Sequence, residues 1–187
     1  MICIINFGSS KTEKIGECLK TLGFSFRIYN WNESDKVDWK QMKGIILSGA
    51  PVLLTETDTR IYTQRFQFLK TSSIPVLGIC FGHQLLGLLF GALVFKGEEV
   101  RKETEISIDS DTILFEEFDK KIKMAEDHTE GITLPTSFIK LASSEKYEIE
   151  AMRHSVLNLF GVQFHPEVSD ENGLRLLNNF CKLTTQN

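Results

Sequence analysis

The chain has 187 residues, 42% of them apolar and 25% charged, with a formal net charge of −4. That length suits one domain with a real core, and the composition is ordinary globular usage. The acidic balance offers no basic face to nucleic acid, and no apolar run approaches the length of a membrane span.

The N-terminus, MICIINFG, lacks a positively charged leader region and reads as a strand. Residues 11–22 place Ile15, Cys18, Leu19 and Leu22 at helical spacing, and Gly23 stops that helix. Residues 24–29 alternate as a strand, and residues 44–49 form a buried strand. Residues 59–70 carry Tyr62, Phe66 and Leu69 on one helical face. Residues 74–79 are the next strand and 83–90 the next helix, whose stretch 85–90 is apolar all round and therefore a core helix. Beyond residue 92 the pattern changes to short strand-like pieces at 105–108, 138–142, 147–152 and 159–164, read as mixed or antiparallel additions. The charged stretch 96–105 reads as a solvated loop or hairpin, with a partner surface as its functional alternative. A last helix spans about 171–182. Trp31 and Trp39 lie in a polar segment with no role assigned. Strand–helix alternation with continuous apolar strands predicts an α/β fold whose mostly parallel sheet is covered by helices on both faces. Ligands in such sheets sit beyond the carboxyl ends of the strands, here near Ser48-Gly49-Ala50-Pro51 and Gly78-Ile79-Cys80.

The cysteines at 3, 18, 80 and 181 form no C-x-x-C pair. This points to a reducing, cytoplasmic compartment and away from a structural zinc site. The histidines at 83, 128, 154 and 165 show no local ligand spacing, so no metal is expected.

One cysteine stands apart. Gly78-Ile79-Cys80-Phe81-Gly82 follows a strand and precedes a helix, the cysteine form of a nucleophile elbow. Chance would flank one of four cysteines this way only about 2% of the time, given average glycine usage. The elbow pushes the thiol out at a helix N-terminus, where the thiolate is favoured. There the Phe81 N–H can donate to a developing oxyanion. The rival reading is a buried cysteine with glycines for close packing. A thiol nucleophile needs a base. Phe164-His165-Pro166-Glu167-Val168 supplies one. His165 and Glu167 point to one side of an extended backbone, so Glu167 can orient the imidazole.

Together these two segments resemble the signatures of the class I, triad-type glutamine amidotransferases, and the resemblance spans essentially the whole chain. It implies a flavodoxin-like fold with extra antiparallel strands in the second half, in one amidotransferase domain over 1–187. It implies hydrolysis of the glutamine side-chain amide by Cys80, His165 and Glu167. It places the second oxyanion donor at the Ala50 N–H, in a loop with Gly49 where the family has Gly-Gly-Pro. If that position required positive φ, alanine would be strained by about 1–2 kcal/mol, and the loop would form only on activation. The resemblance also implies substrate contacts at Gly49 and at Gln84, which matches a glutamine-binding position. Glu126-Asp127-His128-Thr129-Glu130 is the nearest match to a further substrate-contacting motif, with His128 as direct or indirect contact.

Glu150-Ala151-Met152-Arg153-His154 and Leu177-Asn178-Asn179-Phe180-Cys181 resemble the GMP synthetase branch, above all its separate glutaminase subunits. That resemblance implies a partner synthetase chain of the ATP-pyrophosphatase type, which would carry ATP and Mg²⁺. No cofactor is expected in this chain, which has no phosphate-binding loop of either ATP-using kind. Two other readings stay open. One is a free-standing glutaminase or γ-glutamyl hydrolase. The other is a non-catalytic, flavodoxin-like regulatory module with an idle triad.

Overall fold

A computed structural model describes residues 1–185. Four strands are buried along nearly their whole length: β1 (Ile2–Asn6), β3 (Gly44–Leu47), β4 (Val76–Ile79) and β11 (Leu159–Val162). With β2 (Phe26–Asn30) at one edge, they pair in parallel in the order β2-β1-β3-β4-β11. The sheet continues antiparallel through β10 (Ala151–His154), β9 (Phe138–Ser143), β6 (Glu103–Ile108) and β7 (Lys121–Ala125), making nine strands. A separate two-stranded ribbon pairs β5 (Val94–Val100) with β8 (His128–Ile132).

Alternation along the strands divides the core into two halves. Ile2 and Ile4 face α1 (Thr12–Thr21) and α4 (Asp170–Thr185), where Ile15, Leu19, Leu176 and Phe180 complete one cluster. Cys3 and Ile5 face α2 (Arg60–Arg65) and α3 (Phe81–Leu89), where Tyr62, Phe81, Leu85 and Leu86 complete the other. Helices therefore cover both faces, as the apolar strands require. Trp31 and Trp39 find roles here: Trp31 packs on Tyr62 at 4.8 Å between ring centroids and Trp39 on Phe68 at 4.7 Å, closing the second cluster.

Several boundaries depart from the sequence reading. The helix expected over 59–70 ends at Arg65, and a 3-10 turn follows over Gln67–Thr71. Phe66 and Leu69 are both fully buried, and tighter winding brings residues three apart onto one side. The piece at 147–152 becomes a strand only from Ala151. β11, expected among the mixed additions, joins β4 in parallel and β10 antiparallel. Residues 96–105 form no hairpin with each other: β5 pairs with β8, while β6 pairs with β7 and β9.

Candidate active site

Three neighbouring strand ends build the site. β3 ends in Ser48-Gly49-Ala50, β4 ends in Cys80, and β11 runs on to His165. Backbone bonds fix them together: Cys80 N–H donates to the Val162 carbonyl at 2.8 Å and Gly82 N–H to the Ser48 carbonyl at 3.2 Å. His165 N–H donates to Ala125 O at 2.8 Å, and the Ser169 hydroxyl donates to His165 O at 2.7 Å.

Cys80 sits at φ 50°, ψ −105°, a conformation that non-glycine residues avoid. Its flanking glycines are obligatory. A Cβ on Gly78 would run into the carbonyl of Gly82, and one on Gly82 into the carbonyl of Leu47. Phe81 is the first residue of α3, so its N–H has no partner within the helix. Its ring is locked between Phe7 and Tyr62 at 4.9 and 5.1 Å.

His165 is buried and its Nδ1 lies 2.8 Å from Glu167 Oε1, which leaves Nε2 for the Cys80 thiol. The pair does not meet through an extended backbone as the sequence suggested. Pro166 opens a 3-10 turn over Pro166–Val168, and the turn brings Glu167 back beneath the imidazole. Burial disfavours charge on His165. Its hydrogen bonds to Cys80 and Glu167 outweigh that and push its pKa up to about 10. Burial pushes Cys3 and Cys181 up to about 12, and it raises Cys18 as well, helped by Glu167. All four cysteines are free.

A cavity of ≈ 300 Å³ opens above Cys80 and His165. Ala50, Phe81, Gln84 and His128 contribute to its wall, as do Lys11, Arg101, Asp127 and Glu130. Gly49 lies beside the triad: a Cβ there would stand 3.1 Å from His165 Cε1 and 3.7 Å from Cys80 Cβ. Ala50 is not among the residues with positive φ, so the strain considered for it does not arise in this conformation.

Gln84 donates from Nε2 to Glu130 O at 3.0 Å and to Gln163 Oε1 at 3.1 Å, so its amide nitrogen braces the wall from within. His128 is buried and its Nδ1 contacts Glu130 O at 3.0 Å. The sequence reading placed Glu130 in the 126–130 motif but gave it no role of its own. Its carboxylate accepts from the N–H groups of Leu54 and Thr55, each at 2.8 Å, and so ties the loop that follows Ala50 to β8. The sequence reading did not foresee that Glu126 and Glu150, quoted in two separate motifs, lie close to His128. Residues 126, 128 and 130 alternate inward with 127 and 129 outward, and that period-2 pattern was the available signal.

A family model for class-I glutamine amidotransferases matches residues 3–183. The chain belongs to this family. It is 35% identical over 187 residues to a subunit of the glutamine-hydrolysing GMP synthase of Pyrococcus furiosus, covering 98% of both chains. It is 34% identical over 188 residues to the corresponding GMP synthase subunit of Methanocaldococcus jannaschii, covering 98% of this chain and 97% of that one. A crystal structure of a Thermoplasma acidophilum protein described as a putative GMP synthase subunit superposes with a TM-score of 0.90 at 26% identity, covering 99% of this chain and 94% of that one. A glutamine amidotransferase from Thermotoga maritima shares the fold, with a TM-score of 0.79 at 23% identity over 93% of this chain and 79% of that one. As a class-I amidotransferase, the chain is a glutamine-hydrolysing enzyme.

Proposed function

We propose that this amidotransferase hydrolyses glutamine at Cys80, His165 and Glu167 and hands the ammonia to a separate synthetase chain that makes GMP. The observation that carries the catalytic reading is the alignment of Cys80, His165 and Glu167 beneath one cavity, with Nδ1 of His165 held 2.8 Å from Glu167. Similarity along almost the full length of separate GMP synthase subunits supports the acceptor and the two-chain arrangement. Residues 1–187 then act as one amidotransferase domain.

The chemistry follows from the geometry. Cys80 Sγ attacks the side-chain carbonyl carbon of glutamine. The electron pair of the C=O moves onto oxygen, where the Phe81 and Ala50 N–H groups meet it. Protonated His165 gives its proton to the amide nitrogen, the C–N bond breaks, and ammonia leaves. A γ-glutamyl thioester remains on Cys80. Water then attacks the thioester, His165 takes its proton, and glutamate departs with the thiolate restored. Glu167 holds the ring and stabilises its cation. The cavity rim sets Lys11 and Arg101 against Asp127 (Lys11 Nζ–Asp127 Oδ2 2.6 Å), charges of both signs that suit an amino-acid zwitterion. No step requires a cofactor in this chain. ATP and Mg²⁺ belong to acceptor activation on the partner, and the free thiols suit a reducing cytoplasm. Among the described residues, no helix is long and apolar enough to cross a membrane.

Ammonia release from glutamine, measured with and without a GMP synthetase chain, tests the proposal. Stimulation at equimolar partner, together with GMP formation, is expected. Rapid hydrolysis by the isolated chain that the partner leaves unchanged would favour a free-standing glutaminase instead.

A further inference from the structure

Behind the cavity wall, three buried side chains converge without a cation to balance them. Glu126, His128 and Glu150 are 4%, 7% and 0% exposed. One donor atom from each lies within 4.8 Å of the others. Both oxygens of Glu126, Nε2 of His128 and Oε2 of Glu150 have no hydrogen-bond partner. Among the described residues, no lysine or arginine ion pair reaches either carboxylate. Buried polar groups are normally satisfied, so orphans this concentrated point to a missing group.

The histidine tautomer narrows what that group is. His128 Nδ1 lies 3.0 Å from the Glu130 carbonyl, which can only accept, so Nδ1 carries the proton. Nε2 is then the ring atom that faces Glu126 Oε1, 3.8 Å away. A buried ring nitrogen and a carboxylate set face to face without a partner call for a positive centre between them. The separation is long for a hydrogen bond and close to the roughly 3.3–3.6 Å between two ligands of one tetrahedral Zn²⁺. The surroundings resemble those that orient metal ligands. The Nδ1–H is fixed on a carbonyl, and the Ser144 hydroxyl holds Glu150 Oε1 at 2.7 Å, leaving Oε2 turned to the cluster.

We propose that Glu126, His128 and Glu150 form a site for one divalent transition-metal ion of the Zn²⁺ class. One imidazole and two carboxylates are a donor set for such an ion, and two negative charges match its own. His128 lines the glutamine cavity, which gives the ion a way in. The expectation that this chain holds no metal rested on local ligand spacing. Here the ligands come from the turn before β8, from β8 itself and from the segment before β10, so only the fold assembles them. The site is distinct from the triad and does not depend on the proposed acceptor.

The test uses the full chain, stripped with a chelator and titrated with Co²⁺ and then Zn²⁺. Cys80→Ala is run in parallel, because Cys80 and His165 could themselves take a thiophilic ion. The expected result is one Co²⁺ per chain, with visible d–d bands, no sulfur-to-cobalt charge transfer, displacement by Zn²⁺, and no loss on Cys80→Ala. Glu150→Gln and His128→Ala should each weaken binding at least about 100-fold. Glu126→Gln substitutes if either variant fails to fold. No stoichiometric binding would overturn the proposal and leave protons as the occupants of the cluster. So would binding that shows sulfur charge transfer, disappears with Cys80→Ala and survives Glu150→Gln.

Discussion

Cys80 occupies a backbone conformation that only its neighbours make tolerable, and those neighbours are glycines for a reason that can be measured. Gly82→Ala would press a methyl group onto the Leu47 carbonyl. A loss of about 3 kcal/mol is expected in chemical denaturation, with labelling of Cys80 impaired in whatever folds. Cys80→Ala should keep the fold and abolish glutamine hydrolysis. Glu167→Gln keeps the shape but removes the charge opposite His165, and kcat should fall about 10²–10⁴-fold. The protonation of His165 can be read directly. Its folded pKa of about 10 lies above the ordinary histidine value of 6.5, so the stability it contributes is fully present below about pH 6.5 and is lost as pH rises through about 10. An NMR titration of its ring protons should show an imidazolium through neutral pH, and Cys80→Ala should lower the midpoint. A wild-type midpoint near 6.5 would contradict the pairing.

The elements differ in how plainly they could be read. The parallel strands β1, β3 and β4 are buried on both faces, so each is a short continuous apolar run between turn signals. β11 reads as a strand too, but nothing in its own run reveals that it pairs with β4 in parallel. The ribbon strand β5 is the opposite case. Its middle residues are exposed, and VFKGEEV follows no period, because backbone pairing with β8 forms it rather than burial. The proposed triad residues were legible because each lies in a short local motif. The carboxylates of residues 126, 130 and 150 were not, because long-range antiparallel pairing assembles them. Glu130 is the element-scale test. It joins β8 to the loop after Ala50 through two backbone N–H groups. In Glu130→Gln, one of those donors would face an amide NH₂. We expect the loop to loosen and kcat/KM for glutamine to fall about 10²-fold. Most of that fall should lie in kcat, since the loop carries the proposed oxyanion donor at Ala50, while thermal stability changes little. An equal loss confined to KM would mean that Glu130 serves binding alone.

At the scale of the molecule, one arrangement repeats. Adjacent carboxyl ends of β3, β4 and β11 bring Ala50, Cys80 and His165, the proposed oxyanion loop, nucleophile and base, to one cavity, where a parallel sheet presents its ligand sites. The separate β5–β8 ribbon supplies the cavity's far wall, with His128 and Glu130 from β8. The central claim is that this cavity binds glutamine and presents it to Cys80. The most direct measurement treats the purified chain with a glutamine-like diazoketone and reads intact mass, a peptide map and protection by substrate. The thiols of Cys3, Cys18 and Cys181 are held protonated at neutral pH, so they do not compete. The account predicts one adduct, on Cys80, blocked by L-glutamine and not by L-glutamate. An adduct spread over several cysteines, or one on Cys80 that glutamine does not protect, would contradict it.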